Sequence, residues 1–222
     1  MKITVVIPTK NEQGCIGRVL GEIPRTLVNE VIVVDGHSTD RTVAEAKKSM
    51  KPSDKVLNQK GSGYGAALIQ GMKGAGGDVI VMMDADGSHD PKDIGKIIKK
   101  MEEGAEYVMA SRYMPGGRSD DDTWLRWFGN KLFTWMTNVV HDTNMTDSLY
   151  LFTAVKKESM EKLKLRARGF EFCTEIVVKA HKAGLKFAEV PTIERARYAG
   201  KSKVNSFYHG VKILSMILRS YR

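Results

Sequence analysis

The stretch VIVMMDADGSHDP, Val79 to Pro91, decides how this chain folds. An uninterrupted apolar run that ends on an acid reads as a strand buried in a parallel sheet, and Pro91 sits where a helix takes its first-turn proline. Asp84 and Asp86 are two positions apart and point to the same side if extended geometry persists. Two such carboxylates can hold a hard divalent cation against a diphosphate. Working outward, Ile3 to Ile7, Val31 to Val34 and Tyr107 to Ala110 repeat the strand pattern, Phe187 to Val190 adds another ended by Pro191, and Lys55 to Leu57 gives a weaker one. Between them run helical stretches: Ile16 to Ile23, Thr39 to Met50, Tyr64 to Lys73, Pro91 to Glu103 and Phe170 to Gly184. The alternation predicts an α/β, doubly wound fold with a mostly parallel central sheet flanked by helices. Ligands of such sheets bind at the carboxyl ends of the strands, where Glu12, Asp35, Asp84 and Asp86 all stand.

The chain has 222 residues, 42% hydrophobic and 27% charged, enough for a substantial core and against disorder or collagen-like repeats. No repeat or linker divides it, so it reads as one domain over 1–222, closed by a basic amphipathic helix at about 205–222. The formal charge of +9 asks for an anionic partner, and the seven basic residues and no acid from Arg195 onward place much of it at one end. Cys15 and Cys173 lack metal-ligand spacing and read as reduced thiols, so a reducing cytoplasm is expected. The first residues run straight into a strand with no signal-peptide shape, and no apolar run reaches the ~18 residues needed to cross a bilayer. After Arg112, a Pro-Gly-Gly and Asp-Asp-Asp stretch reads as a loop near the site. Trp124 to Val140 follows as a helix whose Leu125, Phe128, Leu132, Trp135 and Val139 share a face. Core packing is the first reading of that face and a lipid-facing surface the alternative. The terminal stripe of Phe207, Val211, Leu214, Leu218 and Tyr221 leaves the same two choices open.

The ordered blocks Ile7-Pro8-Thr9-Lys10-Asn11-Glu12, Val33-Val34-Asp35-Gly36-His37-Ser38-Thr39-Asp40, Met83 to Pro91 and Ala110-Ser111-Arg112-Tyr113 resemble those of family 2 glycosyltransferases with a GT-A fold. Within that family the chain is most similar to polyprenyl-phosphate (dolichyl-phosphate) mannose synthases and their glucosyl relatives. Glu189-Val190-Pro191 and Arg197-Tyr198-Ala199-Gly200-Lys201-Ser202-Lys203 look like that subgroup's tail elements. Three places depart from the pattern: Lys10 for a usual tyrosine, Gly36-His37 where Asp-Gly is common, and Leu151 and Thr153 in place of a small and a basic residue.

The resemblance implies a Rossmann-like nucleotide-sugar-binding domain that moves a hexose, mannose from GDP-mannose first, onto polyprenyl phosphate with inversion at the anomeric carbon. An acceptor phosphate is already ionised at neutral pH, so the task is to position two anions and stabilise the departing diphosphate. Asp84, Asp86 and Ser88 are then the candidate ligands of Mg²⁺ or Mn²⁺. Pro8, Thr9, Glu12, Asp35, Asp84, Ala85, Asp86, Arg197 and Lys203 are the donor-nucleotide candidates. Arg112, Arg126, Asn130 and Ser202 are the acceptor-phosphate candidates, with Asp86, Arg112 and Arg126 catalytic. Asp147 and Glu175 are candidates for the sugar or acceptor, with pairing to a nearby basic residue the alternative for Glu175, and Asp40 reads as a helix cap. Expected partners are a nucleoside diphosphate sugar, polyprenyl phosphate and a peripheral membrane surface at the cytoplasmic face, with an anchor subunit or homo-oligomer to hold it there. The rivals are a UDP-sugar such as UDP-glucose as donor, and a saccharide hydroxyl as acceptor with Asp147 as base. A dinucleotide oxidoreductase is suggested by Gly61-Ser62-Gly63-Tyr64-Gly65-Ala66, and a nucleic-acid binder by the charge. The glycine motif lies outside the first βα turn and no base-reading module accompanies the basic tail, so neither of the last two is favoured.

Overall fold

In the computed structural model, which describes residues 1–200 and 206–218, the apolar stretches pair side by side. The strands are β1 (Ile3–Thr9), β2 (Glu30–Asp35), β3 (Lys55–Asn58), β4 (Val79–Met82), β5 (Tyr107–Ser111), β6 (Arg118–Ser119), β7 (Thr153–Lys156), β8 (Phe187–Pro191) and β9 (Ile193–Glu194). The helices are α1 (Ile16–Glu22), α2 (Thr42–Ser49), α3 (Tyr64–Gly74), α4 (Ile94–Glu102), α5 (Trp124–His141), α6 (Lys157–Lys162), α7 (Phe172–Lys182) and α8 (Ser206–Leu218). Among the described residues seven strands form one sheet in the order β3-β2-β1-β4-β7-β5-β8, and β6 pairs with β9 apart from it. All neighbours in the large sheet are parallel except β7, which runs antiparallel to both β4 and β5.

Successive strand residues feed opposite cores. Val5, Ile7, Val31 and Val33 pack with Ile16, Val19, Leu20, Ile94 and Ile97 from α1 and α4 on one face. Val6, Ile32 and Val34 pack with Leu68, Met72, Ile176 and Val177 from α3 and α7 on the other. Both faces of the inner strands are covered, so β1, β2 and β4 are apolar over most of their length, and each fully buried aliphatic side chain contributes about 1.5–3 kcal/mol. Gly71 lets α3 lie close on the sheet: a Cβ there would stand 2.3 Å from Val6 Cγ1.

Three expectations change. The helix expected from Thr39 begins at Thr42, because the Asp40 carboxylate accepts the Thr42 amide 2.9 Å away and also its hydroxyl. β7 and α6 fall in a stretch that gave no strand or helix signal. The aromatic face of α5 is not core: Trp124 is 75% exposed and Trp135 62%, with Leu125, Phe128, Leu132 and Val139 also exposed. The buried side of α5 carries Thr134, Thr137 and His141 instead. Thr134 and Thr137 share the Ser148 hydroxyl at 3.3 and 3.4 Å, and Asn138 binds the Met145 carbonyl at 2.9 Å. A polar face can be buried when the opposing loop satisfies it, and here the 145–148 loop does so for Thr134, Thr137 and Asn138. α8 packs against α5 and α7 and buries Met216 and Ile217, while Val211 and Leu218 of the expected stripe stay exposed. Tyr221 lies outside the described residues.

Candidate active site

Four strand ends and two loops surround a cavity of about 350 Å³. Pro8 and Thr9 close β1, with Glu12 just beyond; Gly36 and His37 follow β2; Asp84, Ala85 and Asp86 follow β4. Tyr64 from the head of α3, Phe170 and Arg197 complete the rim. Of the expected donor residues, Pro8, Thr9, Glu12, Asp84, Ala85, Asp86 and Arg197 line this cavity. Asp35 is not among its lining residues: it is buried, and its carboxylate accepts the Ser38 amide at 3.2 Å, which shapes the turn after β2. Ser202 and Lys203 lie outside the described residues.

The DADGS turn is held from both sides. The Ser88 amide donates to Asp86 Oδ1 at 3.0 Å, and Arg197 Nη2 donates to Asp86 Oδ2 at 2.7 Å. The 195–198 segment is strapped onto the turn by Arg195 N–H to the Ser88 carbonyl at 2.8 Å and Tyr198 N–H to the Asp86 carbonyl at 2.9 Å. Gly87 permits this close approach: its φ is +90°, and a Cβ there would stand 2.4 Å from the Tyr198 ring. Asp84 accepts a hydrogen bond from the Tyr64 hydroxyl. Its amide donates to His89 Nδ1 at 3.1 Å, and His89 stacks on Phe152. Burial, then the neighbouring Asp86 charge, pushes the Asp84 carboxyl up to about 7, although the Tyr64 hydroxyl and Arg197 oppose the shift. Burial also raises Asp86, but the Ser88 hydrogen bonds, His89 and Arg197 outweigh it and hold that carboxyl below its ordinary value. Burial drives the His89 imidazole down to about 4, so it is neutral at pH 7.

Two crowded carboxylates whose repulsion favours a bound proton are a fitting, all-oxygen donor pair for a hard divalent cation. Among the described residues no group of three or more His, Cys, Asp or Glu converges on a metal site. Asp84 and Asp86 can therefore supply only part of a coordination shell, which suits a cation completed by phosphate oxygens and water. The Ser88 side chain is buried and hydrogen-bonds the Asp86 carboxylate, which places it in support of that acid.

Of the expected acceptor residues, Arg112 lies across Tyr150 from His89. Arg112 is buried, its Nε and Nη2 forking onto Asp147 at 2.7 and 3.0 Å and its Nη1 reaching Glu194 at 3.2 Å. Its guanidinium lies 4.6 Å from the Tyr150 ring centroid, and the His89 ring lies 4.6 Å from that of Tyr150, which links this cluster to the Asp84 turn. Burial works against the Arg112 charge, but Asp147 and Glu194 reverse it and raise the group well above its ordinary value. Arg112 is thus held by internal carboxylates, because a buried guanidinium needs counter-charge, and Asp147 has both oxygens on Arg112. Asn130 donates to the Tyr113 hydroxyl at 2.9 Å, and Tyr113 in turn bonds Asp122. Arg126 is exposed on α5 and pairs with Asp121 at 3.2 Å. Glu175 shows the second of its two readings: buried in α7, it pairs with the basic Lys179 at 2.8 Å, accepts the Arg166 and Ala167 amides at 2.9 and 2.7 Å, and lines a different cavity.

Residues 4–164 match the model of the glycosyl transferase family 2. The chain belongs to that family. Among its relatives, the dolichol-phosphate mannosyltransferase of Pyrococcus furiosus is 32% identical over 229 aligned positions, which cover all of this chain and 63% of the relative. This family 2 chain thus spans less than two thirds of that relative's length. The polyprenol monophosphomannose synthase of Mycolicibacterium smegmatis is 29% identical, covering 90% of this chain and 80% of the relative. Among solved structures, glucosyl-3-phosphoglycerate synthase from Mycobacterium tuberculosis, in complex with Mn²⁺, UDP-glucose and phosphoglyceric acid, superposes with a TM-score of 0.76 at 20% identity, over 98% of this chain and 78% of that one. The GT-A expectation for the fold stands on these likenesses together with the sheet order.

Three cavity residues of this glycosyltransferase-family chain were invisible as site residues in its sequence. Tyr64 and Phe170 stack with ring centroids 4.6 Å apart, and Gln59 donates from Nε2 to the Gly63 carbonyl at 2.7 Å. The glycines around Tyr64 signalled a tight turn, and only that signal was available. The stack joins distant parts of the chain, so no local pattern marks it.

Proposed function

We propose that this chain transfers a hexose, mannose from GDP-mannose in the first instance, to polyprenyl (dolichyl) phosphate with inversion at the anomeric carbon. The observation that carries the reading is the pair Asp84 and Asp86 at the end of β4, facing one cavity together with the β1 and β2 ends and with Arg197. The names of the Pyrococcus and Mycolicibacterium relatives supply the sugar and the lipid class. A bound Mg²⁺ or Mn²⁺ supplies positive charge to the leaving diphosphate. Asp84 and Asp86 hold it, and Tyr64 and Ser88 orient those carboxylates. Arg197 exchanges Asp86 for a diphosphate oxygen as the donor seats, and Lys203 adds to that charge. An acceptor phosphate oxygen forms the new bond to the anomeric carbon as the bond to the diphosphate breaks, with the electron pair leaving on the nucleoside diphosphate. Arg126, exposed on α5, meets the acceptor phosphate, with Ser202 as a further donor. Arg112 and Asn130 act one step back, holding Asp147 and the Tyr113–Asp122 pair that shape the acceptor side.

A lipid acceptor places the chain at a membrane surface, proposed here as the cytoplasmic face. Among the described residues no helix is long and apolar enough to cross a membrane. The exposed face of α5 supports surface contact instead: its three tryptophans stand outside the core, and α5 contains Arg126 and Lys131 but no acid. An anchor subunit or a homo-oligomer would reinforce that contact. The second reading keeps the mechanism and takes a UDP-sugar such as UDP-glucose, favoured by the UDP-glucose complex of the structural relative. A saccharide hydroxyl acceptor is disfavoured because Asp147 is bound to Arg112 through both oxygens. The test is incubation with GDP-mannose, UDP-glucose and other nucleotide sugars, Mg²⁺ or Mn²⁺, and a short-chain polyprenyl phosphate. A lipid-linked hexose phosphate from GDP-mannose is the expected product, one from UDP-glucose selects the second reading, and none from any donor overturns the lipid-phosphate assignment.

A further inference from the structure

A second cavity, about 850 Å³, opens between α6, the segment after it, α7 and α8. Cationic side chains around it outnumber acidic ones seven to two. Lys162, Lys164, Arg166 and Arg168 come from α6 and the following segment, Lys182 from α7 and Lys212 from α8. The seventh, Lys179, binds Glu175 and the Lys164 carbonyl, each at 2.8 Å. The two acids are used to hold backbone: Glu175 takes the Arg166 and Ala167 amides, and Glu171 Oε1 takes the Gly169 amide at 3.1 Å. A concave wall with this excess of one sign focuses positive potential, and arginines beside lysines suit the several oxygens of a phosphate group.

The same segment is shared with the donor cavity. The Arg168 carbonyl accepts the Ala66 amide at 3.1 Å, and Phe170 stacks on Tyr64, so residues 166–170 have cations on the second cavity and an aromatic wall on the first. We propose that the second cavity binds a phosphate-bearing anion, and that its occupancy changes nucleotide affinity in the donor cavity through the Arg166–Phe170 segment. The phosphate belongs to an anionic lipid headgroup or to a soluble phosphate compound. The site itself does not rest on which sugar or acceptor the enzyme uses.

The test titrates the full chain with inorganic pyrophosphate, without divalent cation, by calorimetry, comparing wild type with Arg166→Glu/Lys182→Glu and with the milder Arg166→Gln/Lys182→Gln, both at exposed positions. Wild type is expected to bind with an affinity that falls as salt rises, and both pairs of substitutions to weaken binding at least tenfold. GDP binding with Mn²⁺ should survive in the variants, and pyrophosphate should shift GDP affinity severalfold more in wild type than in either variant. Co-sedimentation with phosphatidylglycerol vesicles, displaced by pyrophosphate and weakened in the variants, identifies a headgroup; vesicle binding equal in all three proteins, beside the pyrophosphate loss, identifies a soluble anion. Pyrophosphate affinity equal in wild type and the Gln variant overturns the site, and equal GDP shifts overturn the coupling. Absence of GDP and UDP binding in every protein would count against the donor assignment alone, since the metal-free titration still decides the site.

Discussion

At the scale of single residues, charge that is buried has been matched before it is put to use. Arg112 is the clearest case. The sequence placed it after β5 as an acceptor ligand, but only the fold brings Asp147 and Glu194 to it, and these fix its guanidinium from three nitrogens. Arg112→Gln should therefore lower stability by about 3 kcal/mol, because it leaves Asp147 as a buried charge without its partner. Chemical denaturation of the two proteins measures this, and a loss below about 1 kcal/mol would mean that Arg112 is no internal tie. Asp84 and Asp86, by contrast, were legible directly from the Asp-x-Asp spacing after an apolar run. What the sequence could not convey is that Tyr64, Ser88 and Arg197 converge on them from separate elements.

At the scale of elements, strands and their acidic ends followed from apolar runs that stop abruptly, and those signals are local. β7 was missed because Thr153-Ala154-Val155-Lys156 is short and carries its meaning only between β4 and β5, where it runs antiparallel. The α5 face was misread for a related reason: periodicity identifies an apolar stripe but does not say whether protein covers it. A different tie fixes the entry to β2 and β3. The Asp54 carboxylate is buried in its pair with Arg25 at 2.8 Å and also accepts the Val31 and Lys51 amides. Burial alone would raise its carboxyl, but Arg25 and those amides outweigh it and hold the group below its ordinary 3.8. A depressed folded value stabilises the fold above the unfolded value and is lost as pH falls through the folded one. Asp54→Asn should thus cost about 2 kcal/mol at pH 7 and flatten the loss of stability below about pH 4. Thermal melts across pH 3 to 7 check both, and parallel curves for the two proteins would contradict it.

At the scale of the whole molecule, the carboxyl ends of β1, β2 and β4 open on one cavity, while α5 presents an aromatic surface and α6 to α8 a cationic one. The charge is unevenly spread: seven cations against two acids line the second cavity, whereas Lys10 and Arg197 face Glu12, Asp84 and Asp86 in the first. If α5 meets lipid, replacing Trp124 and Trp135 by Ser should change folding stability by no more than about 0.5 kcal/mol, as expected of exposed positions. It should nevertheless reduce co-sedimentation with phosphatidylglycerol vesicles severalfold; unchanged sedimentation would remove α5 from the membrane surface. The central claim is narrower, that Asp84 and Asp86 make the β4 end a metal-dependent nucleotide site. Calorimetric titration with GDP and with UDP, with and without Mn²⁺, in wild type and Asp86→Ala tests it most directly. The account predicts binding of at least one nucleotide that needs Mn²⁺ and falls at least tenfold in Asp86→Ala; affinity indifferent to Mn²⁺, or equal in the two proteins, would contradict it.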